Sequence, residues 1–280
     1  RIKEGAQTLT DEEIQRCKSF FTKPSYLEKQ DSPNELIQAL KSEPLFLKWY
    51  ERNVRPHKQP GYAIVTVVLK ETGTAPGDIT DTQLDYIADL SDEYSFGEIR
   101  VSHRQNVVLA DVEQARLYNL WQKLQRQSLA NDSLGLLTDI ICCPGGDFCA
   151  LANAKSIPIA EAIQRRFSDH SELLDINEIT INISGCMNAC GHHHVGNIGI
   201  LGVDKKGAEF YQVSLGGSSQ NDASLTKVLG PAFAEEEIPS VIEKIIDVYK
   251  NNRVDHEVFL DTYRRIGLEP FKDKIYAQAD

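Results

Sequence analysis

Four thiols in two close pairs are the residues of this sequence best equipped for chemistry. Cys143 and Cys149 form a C-x5-C pair in Cys143-Pro144-Gly145-Gly146-Asp147-Phe148-Cys149. Cys186 and Cys190 form a C-x3-C pair in Ser184-Gly185-Cys186-Met187-Asn188-Ala189-Cys190-Gly191. Thiolates in fours hold either a tetrahedral zinc or an iron–sulfur cluster. Zinc knuckles use short C-x2-C intervals that clasp one ion, whereas wider intervals suit a cube whose corner irons lie apart. The spacing therefore favours a cluster, with a zinc-stapled structural domain as the alternative. Gly145, Gly146, Gly185 and Gly191 flank the thiols, and glycine lets backbone approach a bulky group closely. His192-His193-His194 follows at once, but consecutive side chains rarely point at one ion, so the triple is not read as a single metal site.

The elements that must position these thiols can be read from periodicity. Residues 136–142 form an apolar lead into the first pair, expected as a strand. A helix is expected over about 158–167, with Ile159, Ile163 and Phe167 apolar. Ile179-Thr180-Ile181-Asn182-Ile183 alternates apolar and polar residues, the pattern of a half-buried strand, and delivers the second pair. Residues 198–203 and 210–215 read as strands around the turn Asp204-Lys205-Lys206-Gly207, and two helices, about 238–250 and 256–266, close the chain with Gly267 as a C-cap.

Upstream, residues 1–56 read as a helical segment. Thr10 with Glu13 and Ser32 with Glu35 are helix starts, and 45–54 is a short apolar helix. Cys17 falls on an apolar face, as a buried structural thiol would. Ile64-Val65-Thr66-Val67-Val68 is a β-branched strand, and Thr80 with Gln83 caps a helix. Strands at 98–102 and 106–110 follow, then a helix over about 112–128. Strand–helix–strand–strand–helix is most of a ferredoxin-like unit.

Composition bounds the rest. A length of 280 residues supports one large or two ordinary domains. The net charge of −11 argues against nucleic acid as a principal partner. No apolar run approaches the roughly 18 residues of a membrane span, and residues 1–5 contain no apolar leader core. Six cysteines are too few for a disulfide scaffold and fit a reducing, cytoplasmic setting. The sequence begins with Arg1 rather than Met, as a piece of a longer chain would.

The paired cysteine motifs resemble the cluster signature of the sirohaem-dependent sulfite and nitrite reductases, whose first pair is C-x5-C and whose second lies in (T/S)-G-C-x-N-x-C-G. Asn188 and the histidine-containing link into residues 195–202 extend the match, and Gly216-Gly217 resembles the family's glycine-rich strand exit. The resemblance selects Cys143 over Cys142, leaving Cys142 as a core thiol. It implies a 4Fe-4S cluster on Cys143, Cys149, Cys186 and Cys190, with Cys190 bridging to the sirohaem iron. The segment Arg100-Val101-Ser102-His103-Arg104-Gln105-Asn106 resembles the family's R-x-T-x-x-Q motif, so Arg100, Arg104 and Asn106 are expected contacts to sirohaem, whose carboxylates suit a guanidinium fork. One of the three imidazoles is expected to meet the sirohaem or a carboxylate.

The fold so implied is α+β, a ferredoxin-like half-domain followed by a sirohaem and iron–sulfur α+β domain with a mixed sheet. The divisions are 1–56, a helical N-terminal linker; 57–130, the ferredoxin-like half-domain; and 131–280, the cluster domain. The implied activity is six-electron reduction of sulfite to sulfide, with nitrite reduction to ammonia as the alternative and a non-catalytic iron–sulfur electron carrier as a different class. Such chemistry needs a redox cofactor, since no side chain supplies electrons repeatedly. The resemblance covers the C-terminal half of such an enzyme. It assigns no catalytic residue here and implies as partners the N-terminal half, a ferredoxin or flavoprotein donor, and sulfite or nitrite.

Overall fold

In the computed structural model, residues 9–277 are described; residues 1–5, read above for a leader, lie outside the described residues. Thr10 accepts a hydrogen bond from the Glu13 amide and opens helix α1 (Asp11–Ser19). That helix buries none of its residues, and Phe20 and Phe21 beyond it are exposed. Cys17 is only half-buried, its thiol directed at the Glu13 carboxylate, which corrects the expectation of a core thiol. A stripe of Ile14 and Cys17 alone is too short to seat a two-turn helix on a core.

Helices α2 (Asn34–Ser42) and α3 (Pro44–Asn53) bury Leu36, Phe46 and Trp49 in the core of the first module. Its sheet begins with β1 (Val54–Pro56) and β2 (Tyr62–Val67). Helix α4 (Asp81–Tyr94) follows, opened by the expected Thr80–Gln83 capping box. Strands β3 (Arg100–Val101) and β4 (Val107–Glu113) and helix α5 (Leu117–Gln125) complete the unit. All pairings are antiparallel, in the order β1-β2-β4-β3. This is the ferredoxin-like arrangement, with Val65, Ile87, Leu109 and Leu120 fully buried between sheet and helices. Each such side chain contributes about 1.5–3 kcal/mol. The helix expected from residue 112 starts later, at Leu117, because Val112 pairs with Ala63 and is fully buried in β4.

The second module carries its own core. Its sheet opens with β5 (Ile141–Cys142). Residues 136–140 are not strand: Gly135 turns the chain at φ +79, and Leu136, Leu137 and Ile140 plug the core from a loop. Helices α6 (Ile157–Arg166) and α7 (His170–Asp175) lead to β6 (Ile181–Ser184). Next come β7 (Ile198–Lys205), β8 (Ala208–Leu215) and β9 (Lys227–Val228). The order is β5-β6-β7-β8-β9, parallel from β5 to β7 and antiparallel beyond, a mixed sheet. Every residue of β6 is buried, Asn182 and Ser184 included, where alternation predicted a half-exposed strand. A central parallel strand is covered on both faces, so its polar positions are buried and bonded rather than solvated. β7 and β8 meet at Lys206 and Gly207, both at positive φ, a two-residue hairpin turn.

Helix α8 (Ile238–Asn252) buries seven side chains against this sheet, and α9 (Phe259–Ile266) ends at Gly267, φ +77. A further helix, α10 (Glu269–Tyr276), which the sequence reading missed, buries Phe271 and Ile275. No helix among the described residues is long and apolar enough to cross a membrane.

Candidate functional site

The parallel pairing of β5 with β6 decides where the thiols lie. Cys142 stands opposite Ile183, so both strands end at the same edge of the sheet, where α/β sheets place their ligands. The Cys143 amide donates to the Ile183 carbonyl at 3.1 Å, extending the ladder by one residue into the first loop. The Gly185 amide then donates to Cys143 Sγ at 3.1 Å, and Ser156 Oγ lies 3.5 Å from the same sulfur.

Three backbone segments close around this point. Asn153 and Ala154 amides both donate to the Gly185 carbonyl, and the Gly146 amide donates to Ala154. A Cβ on Gly185 would stand 2.6 Å from the Ala154 carbonyl oxygen and 2.9 Å from the Gly145 Cα. Glycine is required there because the two cysteine loops touch through their backbones. The second loop is pinned from behind: the Gly191 amide donates to Ser184 Oγ, and Asn182 Nδ2 donates to the Gly191 carbonyl. Ala189 and His192 adopt left-handed backbone at φ +56 and +53, conformations a non-glycine residue holds only when its surroundings enforce them.

All six cysteines are free thiols. Cys143 and Cys186 are buried, Cys149 is half-buried and Cys190 is exposed, so the four thiols run from the interior of the domain to its surface. Met187 and Asn188 are exposed within the C-x3-C segment, and Phe148 and Leu151 are exposed on either side of Cys149 in the chain. Cys142 turns into the core and donates to the Cys143 carbonyl, and burial pushes its thiol well up. It is a packing residue, not a ready thiolate. Among the described residues no three His, Cys, Asp or Glu converge on one ion. A cube of iron and sulfide makes a different demand, one thiolate at each corner.

The Arg100–Asn106 segment, on β3 and the turn into β4, meets this domain across a buried polar seam. Asp139 is 1% exposed; it accepts from Asn106 Nδ2 at 3.2 Å and from the Gly135 amide at 3.0 Å, and pairs with Arg104 Nη2 at 3.2 Å. Burial pushes the Asp139 carboxyl up, opposed mainly by Arg104. Lys70 is equally buried, its ammonium held by the Gln105 carbonyl at 3.2 Å, and burial lowers it to about 8. Asn106 is buried and its carboxamide is fully engaged, accepting from the Leu69 amide as well as donating to Asp139. Arg100 stands apart on the exposed β3 edge, paired with Glu98.

Arg104 and His103 line a cleft of about 240 Å³ whose far wall is Asn182, His192 and Gln220. Arg104 Nε is buried without a hydrogen-bond partner, while the residue itself lines the cleft. The His194 ring lies edge-on to both its neighbours, 6.3 Å from His192 and 5.4 Å from His193. His192 lines the cleft, whereas His193 Nδ1 is buried without a partner and burial lowers that imidazole's pKa. The Gln105 carboxamide, which the sequence reading missed, reaches the Cys142 backbone with two hydrogen bonds. Its sequence signal was its place as the glutamine of the R-x-T-x-x-Q resemblance, from which only its neighbours were singled out.

Known proteins resemble this chain in sequence and fold. Residues 135–279 match the family described as the nitrite and sulphite reductase 4Fe-4S domain, and residues 55–127 match the nitrite/sulfite reductase ferredoxin-like half domain. Sulfite reductase (ferredoxin) 2 of Mycolicibacterium paratuberculosis is 30% identical over 68% of this chain and 36% of its own length. The chloroplastic ferredoxin–nitrite reductase of Zea mays is 28% identical over 77% of this chain and 39% of its own length. The chain thus spans about two fifths or less of these relatives. The solved structure of the Mycobacterium tuberculosis NirA protein superposes with a TM-score of 0.63 at 26% identity, over 78% of this chain and 41% of that one.

Proposed function

Because the chain belongs to the nitrite and sulphite reductase family, we propose that it is the cluster-bearing part of an assimilatory sulfite reductase. Cys143, Cys149, Cys186 and Cys190 would hold a 4Fe-4S cluster, with exposed Cys190 the thiol placed to be shared with a sirohaem. The observation behind this reading is the pair of thiol loops at the ends of two adjacent parallel strands, pressed together at Gly145 and Gly185. The residues suit the groups by the chemistry of their donors: four free thiols are the set a cube takes, and the Arg104 guanidinium at the cleft is the donor a carboxylate takes.

The bound pair would deliver electrons one at a time, which a six-electron reduction requires. The chain's own residues do the holding. The Gly185 amide, donating to Cys143 Sγ, favours the thiolate. Arg104 faces the tetrapyrrole carboxylates, backed by Asp139, with Asn106 behind them and Arg100 at the outer rim. Asn188, exposed between Cys186 and Cys190, would contribute to binding the cofactors. Residues 57–130 act as the ferredoxin-like half-domain and 131–280 as the cluster domain, with α2 and α3 of the 1–56 segment built onto the former. The substrate-facing cations come from the N-terminal half of the enzyme, a ferredoxin donates the electrons, and the enzyme works in the cytoplasm.

Nitrite is the second reading, supported by the similar identity of nitrite-reducing relatives. The deciding experiment is an anaerobic ultraviolet–visible spectrum of the purified chain with iron, sulfide and zinc analysis. A Soret band with cluster iron supports the coupled site. Cluster iron without a Soret band means that the other half is needed to retain sirohaem, and stoichiometric zinc in a colourless protein overturns the reading. Rates with sulfite and nitrite on the full-length enzyme choose between substrates.

A further inference from the structure

β5 is the edge strand of the five-stranded sheet, and on its open side the Cys142 backbone is completed by a side chain from the other module. Gln105 Nε2 donates to the Cys142 carbonyl at 2.7 Å, and Gln105 Oε1 accepts from the Cys142 amide at 2.9 Å. The carboxamide thus fills the place a neighbouring strand residue would take, satisfying the donor and the acceptor that an edge leaves open.

Gln105 is itself held from several sides. Its backbone sits at φ +56, its amide donates to the Ser102 carbonyl, and its carbonyl accepts from buried Lys70. Gly77 leaves no room behind it: a Cβ there would lie 2.8 Å from Gln105 Cβ. The flanking residues grip the same partner segment, Arg104 and Asn106 both binding Asp139. Three consecutive side chains therefore hold residues 139–142, and the next residue is Cys143.

We propose that Gln105 is a positioning residue for the cluster, a strut through which the ferredoxin-like module, itself without a thiol ligand, sets the placement of Cys143. The inference rests on the cluster reading above. Cys143 is fixed by the Ile183 carbonyl on one side, and through Cys142 by Gln105 on the other. Releasing Gln105 leaves the first ligand tethered on one side only. The cluster then binds in altered geometry and is lost faster.

The test compares the wild-type chain with Gln105→Leu, which keeps bulk and removes both hydrogen bonds. Gln105→Glu, which keeps length and the acceptor for the Cys142 amide, serves as the milder variant should the first fail to fold. Each is loaded anaerobically with iron and sulfide. The readouts are the electron paramagnetic resonance spectrum of the reduced cluster, its midpoint potential and its rate of loss to a chelator, with Cys142 amide exchange measured on the cluster-free protein. The expected result is at least tenfold faster Cys142 exchange, a changed resonance spectrum and potential, and several-fold faster cluster loss in Gln105→Leu, with Gln105→Glu between it and wild type. A loaded variant matching wild type in spectrum, potential and loss rate overturns the strut and leaves the cluster reading standing. A wild-type chain that takes up no iron overturns the cluster reading and the strut with it.

Discussion

The two neighbouring cysteines at residues 142 and 143 differ by one step along a strand and face opposite ways. Replacing Cys186 or Cys143 by Ser should reduce bound iron and sulfide to background in the loaded chain, since a cube missing a thiolate corner is not retained. Cys142→Ala should keep its iron and lose only about 1 kcal/mol of stability, the cost of a small buried cavity, read from denaturant unfolding. Equal loss of iron in both would sink the assignment. Lys70 allows a different prediction. Its ammonium is buried and its pKa falls from 10.5 to about 8, so between those values the unfolded chain binds more protons than the folded one. The Lys70 contribution to stability therefore rises with pH across that window, by about 3 kcal/mol in full. Lys70→Met should lack this rise, and unfolding of both proteins from pH 8 to 9.5 would reveal it. At this scale the four thiols stood out as a candidate set because their spacing is local. The task of Asn106 was not, because its partners Leu69 and Asp139 come from distant stretches. Gln105 was marked as the glutamine of the R-x-T-x-x-Q resemblance, but its partner was not, because no periodicity announces a contact 37 residues away.

Among elements, the loops around the thiols are the least forgiving. Gly185→Ala would drive a methyl against the Ala154 carbonyl and Gly145; neither is a flexible side-chain end, so the backbone must shift, at about 1–3 kcal/mol. The expected outcome is a folded chain with markedly weaker cluster retention, checked by iron analysis after gel filtration. Full retention would mean that the two loops can part without consequence. The β7–β8 hairpin and α8 were readable because their patterns match their exposure: α8 shows one apolar stripe, and Lys206-Gly207 supplies the turn. Residues 136–140 misled because their apolar run serves as a plug rather than a strand. β6 misled because a strand covered on both faces can bury Asn182 and Ser184 when each has a partner. α10 was missed because its sequence, EPFKDKIY, offers only Phe271 and Ile275 to the core.

The whole molecule is two cores joined at a polar seam, and the seam makes them interdependent. Asp139 with its partners Arg104 and Asn106, and the Gln105–Cys142 pair, all span it. A chain cut to residues 131–280 keeps Cys143, Cys149, Cys186 and Cys190 but exposes Asp139 and frees β5, so it should load less cluster than the intact chain. Iron per chain after identical loading checks this, and equal loading would mean that the first module is dispensable for assembly. The α+β class and both modules were legible in the order of strands and helices, whereas the seam, built from contacts between distant stretches, was not. That seam also orders events in time. A ribosome makes residues 104–106 before residues 139–142, and domains fold as units from the N-terminus during synthesis. The first module can thus close on its own core and present Arg104, Gln105 and Asn106 as a finished template before β5 exists, so the cluster strand is born beside the surface that aligns it.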